Sequence, residues 1–301
     1  MLKDQDLFGQ EIQKDVLLRD KFIEPPFSIL DTKTGTWQNR KRQWKNLGIK
    51  SEVGRADEMT FKGNMKAIDS YRVKEGKKAS SVEQGTSIFD PALCEILYRW
   101  FCPAGGSIFD PFAGGSVRGI VANYLGFRYT GVDIRPEQIE SNYKQAKEII
   151  PDKVPLWIVG DSAEQTDILR KQNFTTDFVF SCPPYADLEV YSDLSGDISN
   201  MKYEDFLRAY RAIIYQSCQL LRPGCFACFV VGEVRDKKGN YYGFVPDTIK
   251  AFQDAGLHFY NEAILLNPVA SASMRADKQF SAGQKLVKIH QNVLVFKKDE
   301  R

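Results

Sequence analysis

Histidine is nearly missing: His258 and His290 are the only two in 301 residues. That leaves little from which to build a metal centre. Six cysteines are present, and Cys225 and Cys228 form a CxxC in RPGCFACFVV. No second cysteine or histidine pair follows, so the pair reads as the start of an apolar strand and no metal is expected. No apolar run approaches the ~20 residues that a membrane helix needs. The opening MLKDQDLFGQEIQKD is polar and charged, unlike a secretory leader. A cytoplasmic protein with reduced cysteines and no membrane partner is therefore expected. No internal repeat is found, and no GxGxxG, which makes a dinucleotide dehydrogenase a poor match.

What is present suits a globular chain. Hydrophobic residues make up 43% and charged residues 27%, enough for a core without disulfides or metals. Net charge is only +2, but its distribution is uneven. Lys33 to Lys78 holds 13 Lys and Arg against 5 Asp and Glu, a local surplus that suggests an anionic partner. Residues 1–86 have weak periodicity and read as a small basic N-terminal module. Residues 87–301 alternate short apolar runs with helical patterns, the signature of an α/β domain with a mostly parallel sheet.

Seven strands are expected, at Ser107–Asp110, Tyr129–Asp133, Leu156–Val159, Phe178–Ser181, Phe226–Gly232, His258–Leu266 and Gln291–Lys297, the last two as a hairpin-like pair. Helices fit between them, one starting at Asp90-Pro91, a cap followed by proline at the first helical position. LLRPGC and AFQDAG each read as a helix ended by glycine.

In SIFDPFAGGSVRGIVA a strand ends at Asp110, Gly114 and Gly115 make a tight turn, and a helix opens. Such a turn lets a ligand approach the backbone and offers it free N–H groups. Asp133 ends the second strand about 20 residues on, where an α/β sheet places a carboxylate for ribose hydroxyls. Asp161 ends the third strand. Each acid alone could be a helix cap; together they outline a nucleoside-containing cofactor across the strand ends. The fourth strand ends in Ser181-Cys182-Pro183-Pro184-Tyr185. The prolines stiffen the backbone, and Tyr185 offers a face on which a base can stack.

From about residue 87 to 297 the sequence resembles S-adenosylmethionine-dependent DNA methyltransferases that modify exocyclic amino groups, in particular those of phages and prophages. FDPFAGGS is similar to their cofactor motif, GVDI and GDS to their second and third motifs, and CPPY to their catalytic motif. FSILDTKTGTWQNRKRQW adds to the likeness with the phage enzymes. The resemblance implies a Rossmann-like class I methyltransferase fold in a bacterial or phage-infected cell, S-adenosylmethionine as cofactor, and a base flipped out of double-stranded DNA. It assigns cofactor contacts to Asp110, Pro111, Phe112, Ala113, Gly114, Gly115, Ser116, Asp133, Ile134, Asp161 and Ser162. It assigns catalysis to Ser181, Cys182, Pro183, Pro184 and Tyr185, with the following loop of Asp187, Glu189, Tyr191 and Asp193 closing over the base.

Two positions depart from the family pattern. Ser116 stands where its second glycine is usual, and Cys182 where Asp, Asn or Ser is usual. A thiol is a weak hydrogen-bond acceptor. Cys182 therefore has two readings: it helps orient the amino group of cytosine (N4) or adenine (N6), or it attacks cytosine carbon 6 in a carbon-5 methylation with Glu233 as the acid. RNA, protein glutamine, or a non-catalytic DNA-binding role are further alternatives. Trp37, Arg40, Lys41, Arg42, Trp44 and Lys45 interleave basic and aromatic side chains as DNA contacts do. A second basic set, Arg275, Lys278, Lys285 and Lys288, is expected to join them.

Overall fold

Successive side chains of a buried strand face opposite ways, so Phe178 and Phe180 pack against one layer of helices while Val179 packs against the other. The same alternation runs through the central strands and defines a three-layer α/β architecture in the computed structural model. Its described residues are 18–50, 89–185, 194, 196–236, 238–269 and 272–300.

Among them, eight strands form one sheet: β1 (Ile29–Asp31), β2 (Ser107–Asp110), β3 (Arg128–Asp133), β4 (Leu156–Val159), β5 (Thr176–Ser181), β6 (Leu221–Val231), β7 (Leu257–Leu266) and β8 (His290–Lys298). Their order is β1-β7-β8-β6-β5-β2-β3-β4. Only β8 runs antiparallel to its neighbours, β6 and β7. The seven expected strands are all present, but the sheet is an eight-stranded mixed one, because β1 adds to the edge of β7 with Leu30 opposite Leu265.

The helices are α1 (Leu18–Phe22), α2 (Gly35–Asn46), α3 (Pro91–Phe101), α4 (Val117–Tyr124), α5 (Pro136–Ile149), α6 (Ser162–Lys171), α7 (Tyr203–Leu220), α8 (Phe244–Asp254) and α9 (Ala272–Gly283). Asp90 caps α3 by accepting the Ala92 N–H at 2.9 Å, ahead of Pro91. One expected terminator is corrected. Gly224, with φ of 74°, lies inside β6 rather than ending α7. The α7 end is satisfied instead by Lys298, whose ammonium donates to the carbonyls of Cys218 and Leu221 at 2.8 and 2.7 Å.

The described part of the expected N-terminal module, residues 18–50, packs on the rest of the chain. Leu30, Trp37, Trp44 and Ile49 belong to the same apolar core as α3, α4 and the sheet. Trp37 and Trp44 lie two helical turns apart, so one face of α2 is buried against α3. Residues 51–88, with most of the expected Lys-rich stretch, lie outside the described residues.

Candidate active site

The chain leaves β2 toward β3 and β4, and returns to β2's other side through β5 and β6. Sheets of this kind bind ligands at that switch point, outside the carboxyl ends of the strands. Asp110, Asp133 and Ser181 all end strands there.

The glycine turn after β2 is tightly held. Ala113 donates to the Val132 carbonyl at 2.9 Å, and Asn142 donates to the Gly114 carbonyl at 2.7 Å. Gly114 has φ of 50°, in the left-handed region that glycine adopts without strain. Its N–H donates to one oxygen of Asp133 at 2.8 Å, while the Arg135 N–H donates to the other at 2.9 Å. Each Asp133 oxygen keeps a lone pair, which suits a vicinal diol. Burial raises the Asp133 carboxyl above its ordinary pKa, and the nearby Arg135 charge opposes that rise without cancelling it.

Asp161 caps α6 through one oxygen, which accepts from Ala163 at 2.7 Å and Glu164 at 3.3 Å. The other oxygen accepts no hydrogen bond among the described residues. It lies close to Gly196, where an added Cβ would stand 3.2 Å from it and 2.9 Å from Ile134 Cδ1. Asp133, Ile134 and Asp161 are half-buried, as are Gly114 and Gly115. A backbone cradle without side chains, a carboxylate with open lone pairs and a second acid with one unbonded oxygen suit a nucleoside-containing cofactor.

Other assigned contacts are spent within the protein. Asp110 is fully buried: one oxygen accepts from Arg118 Nε at 2.6 Å and the Tyr129 hydroxyl at 2.7 Å, the other from the Phe112 N–H at 3.1 Å and the Ser181 hydroxyl at 2.5 Å. Its carboxylate therefore organises the turn from beneath and has no capacity left for a ligand. Ser116 donates to Gln145 at 2.6 Å, and Ser162 donates to the Pro111 carbonyl. Ala113 and Pro111 are buried, and Phe112 packs on Tyr210 and Phe229. These residues shape the cradle through backbone.

Arg118 is the main residue that sequence reading missed. Only 6% exposed, it also donates to the Phe112 and Ala113 carbonyls. Burial disfavours its charge, but the Asp110 contact outweighs that and its pKa is raised. A lone arginine in the apolar stretch GGSVRGIVA, eight residues after a buried aspartate, was the available signal.

Across the switch point, Ser181, expected as a catalytic residue, is fully buried and its hydroxyl donates to Asp110. Cys182, Pro184 and Tyr185 are half-buried. Tyr185 is fixed twice: its hydroxyl accepts from Gln291 Nε2 at 2.9 Å, and its ring meets Phe244 edge-on at 5.9 Å. Glu233, expected as the acid of the carbon-5 reading, is engaged at a helix end. Its two oxygens accept the N–H groups of Phe244 and Val245, both at 3.1 Å. It caps α8, whose own N-cap, Gly243, has no side chain to do so.

The basic N-terminal set is mostly internal. Trp37 Nε1 donates to Asp90 at 3.1 Å and Trp44 Nε1 to Glu95 at 2.9 Å, with Arg40 on Glu95 at 3.0 Å and Lys41 on Asp90 at 2.8 Å. Both indoles are buried, so neither can stack on a base. Arg42 and Lys45 face solvent, as do Arg275 and Lys278 on α9. Asp187, Glu189, Tyr191 and Asp193 lie outside the described residues.

No protein-family profile matches the sequence, and no curated protein matches it. Solved structures do. A proposed RNA methyltransferase from Pyrococcus horikoshii is similar over 87% of this chain and 99% of its own, at 13% identity and a TM-score of 0.49. A SAM-dependent methyltransferase from Agrobacterium tumefaciens is similar over 74% and 66%, at 12% identity and 0.47. TrmN from Thermus thermophilus is similar over 70% of this chain, at 13% identity and 0.46, and this chain spans 49% of its length. At these scores the site's own geometry, not the likeness, carries the functional reading.

Proposed function

We propose that the protein is an S-adenosylmethionine-dependent methyltransferase acting on the exocyclic amino group of cytosine (N4) or adenine (N6) in double-stranded DNA. The observation that carries this is one hydrogen bond, Ser181 to Asp110, which ties the Cys-Pro-Pro-Tyr turn to the strand that ends in the glycine turn and so supports an acceptor side set beside a cofactor side. Asp133 would hold the ribose diol, with Ile134 and Asp161 beside the base and the Gly114–Gly115 backbone against the rest of the cofactor. The bound cofactor supplies a sulfonium-activated methyl group. Tyr185, its ring locked by Gln291 and Phe244, presents a face for a flipped base. The Pro183 carbonyl and the Cys182 side chain orient the amino group, and most of the rate comes from that positioning.

Carbon-5 methylation is disfavoured because the expected acid, Glu233, has both oxygens on the α8 N-terminus. Calorimetry with S-adenosylhomocysteine, followed by transfer of labelled methyl groups to DNA, RNA and protein, tests the reading. Binding together with label in DNA supports it. Label only in RNA or protein would move the substrate class, and absence of binding would leave a non-catalytic protein.

A further inference from the structure

We infer that residues 232–236 and 238–243 of one loop and 284–290 of another together form a phosphate clamp that grips the sugar–phosphate backbone beside the target nucleotide. The nucleic-acid substrate proposed above is the premise. The first loop leaves the carboxyl end of β6, and the second enters β8 next to it. They meet directly: the Lys285 ammonium lies over Gly239, within 2.2 Å of where a Cβ would stand. The pair abuts the catalytic turn. Gln291, one residue beyond His290, holds the Tyr185 hydroxyl, and Gly232 packs close to both.

The two loops bring together Arg235, Lys238, Lys285 and Lys288. Two carboxylates accompany them, and both are already employed. Glu233 caps α8, and Asp236 closes its own turn by accepting the Asn240 N–H at 2.8 Å. Among the described residues neither Lys285 nor Lys288 forms an ion pair, whereas Arg40 and Lys41 do. Arg235 is pre-set: it donates to the Gly239 carbonyl at 2.7 Å, and its guanidinium lies 3.8 Å over the Tyr241 ring. Lys288 is half-buried; burial lowers its pKa, and Arg235 adds to that while Glu233 opposes it. His290 is shifted down as well, by burial and by Lys288. Like charges gathered at the mouth of a site are relieved by a bound anion. A nucleotide seated against Tyr185 carries phosphodiesters on both sides, which supplies that anion.

The test is binding of labelled mixed-sequence duplex DNA, single-stranded DNA and RNA, each with S-adenosylhomocysteine present and across a range of salt. Arg235→Gln/Lys288→Gln should lower the log–log salt slope on duplex by about 0.9 per cation removed. Lys285→Gln should lower it by about half as much as the double variant. Arg235→Lys/Lys288→Arg should keep it, and Lys144→Gln/Lys147→Gln on α5 should leave it unchanged. Which polymer shows the effect identifies the source of the phosphodiester. An unchanged slope in variants that still bind S-adenosylhomocysteine normally, with the wild type methylating nucleic acid, overturns the clamp alone. A wild type that binds S-adenosylhomocysteine but no nucleic acid overturns the proposed function with it.

Discussion

Ser181 and Asp110 end neighbouring parallel strands, and the serine hydroxyl donates to the aspartate carboxylate at 2.5 Å. The same carboxylate takes Arg118, whose guanidinium also holds the Phe112 and Ala113 carbonyls. One buried group thus spans the glycine turn and the catalytic turn. Ser181→Ala should cost about 1.5–3 kcal/mol of stability, the worth of one hydrogen bond to a charged group, and, because the parallel β2–β5 pairing still holds the two turns side by side, leave methyl transfer substantially intact. Denaturant unfolding and initial rates check this. Loss of activity in a stable variant would return Ser181 to the target.

Asp133→Ala should weaken cofactor binding. Two charge-assisted hydrogen bonds are at stake, about 1.5–3 kcal/mol each. The pH dependence has a definite sign. Burial raises the Asp133 pKa, so this group costs the free protein stability above its unfolded pKa and the cost is relieved on protonation. A carboxylate is the form that accepts two hydroxyls. Affinity should therefore fall with decreasing pH before the ordinary carboxylate range is reached. Calorimetry with S-adenosylhomocysteine at several pH values reads both effects.

Trp44→Ala should destabilise by about 3–5 kcal/mol, as buried tryptophan truncations do, and take one donor from the Glu95 carboxylate. Arg40→Ala/Lys41→Ala should cost about 1–3 kcal/mol by removing one cation each from Glu95 and Asp90, with no change in the salt slope of DNA binding. A flattened slope would mean that these two reach phosphate.

These residues mark where the sequence was legible. Strands buried on both faces, such as FVFS, must be apolar throughout, and caps such as Asp90 and Asp161 act within a few residues. Seven strands, the helix start at Asp90-Pro91 and the three strand-end acids were therefore readable. The partners of RKRQW lie at Asp90 and Glu95, some fifty residues on, so a buried packing face looked like a nucleic-acid stripe. The spacing of Trp37 and Trp44 was its one local signal. β1 has three residues and is a strand only because β7 offers an edge. Glu233 seemed an acid at a strand end because the N-terminus it caps begins eleven residues later.

Glu233→Ala should cost about 0.5–2 kcal/mol, the usual worth of a helix cap, without abolishing activity. Unfolding and rate measurements on one preparation check it. A stable, inactive variant would restore the acid and carbon-5 chemistry.

Cys182→Ser bears on the same choice. Serine is the better acceptor, so an orienting role predicts an active enzyme, and DNA carrying 5-fluorocytosine should trap no covalent complex. A dead serine variant with a trapped adduct would make the thiol a nucleophile, since a hydroxyl near neutral pH is far weaker than a thiolate.

The most direct measurement is mass spectrometry of nucleosides from duplex DNA treated with the purified protein and S-adenosylmethionine bearing a deuterated methyl group. Deuterated N4-methylcytosine or N6-methyladenine is the predicted product. Label in 5-methylcytosine would contradict the amino-group assignment, and unlabelled DNA alongside labelled RNA or protein would contradict the substrate.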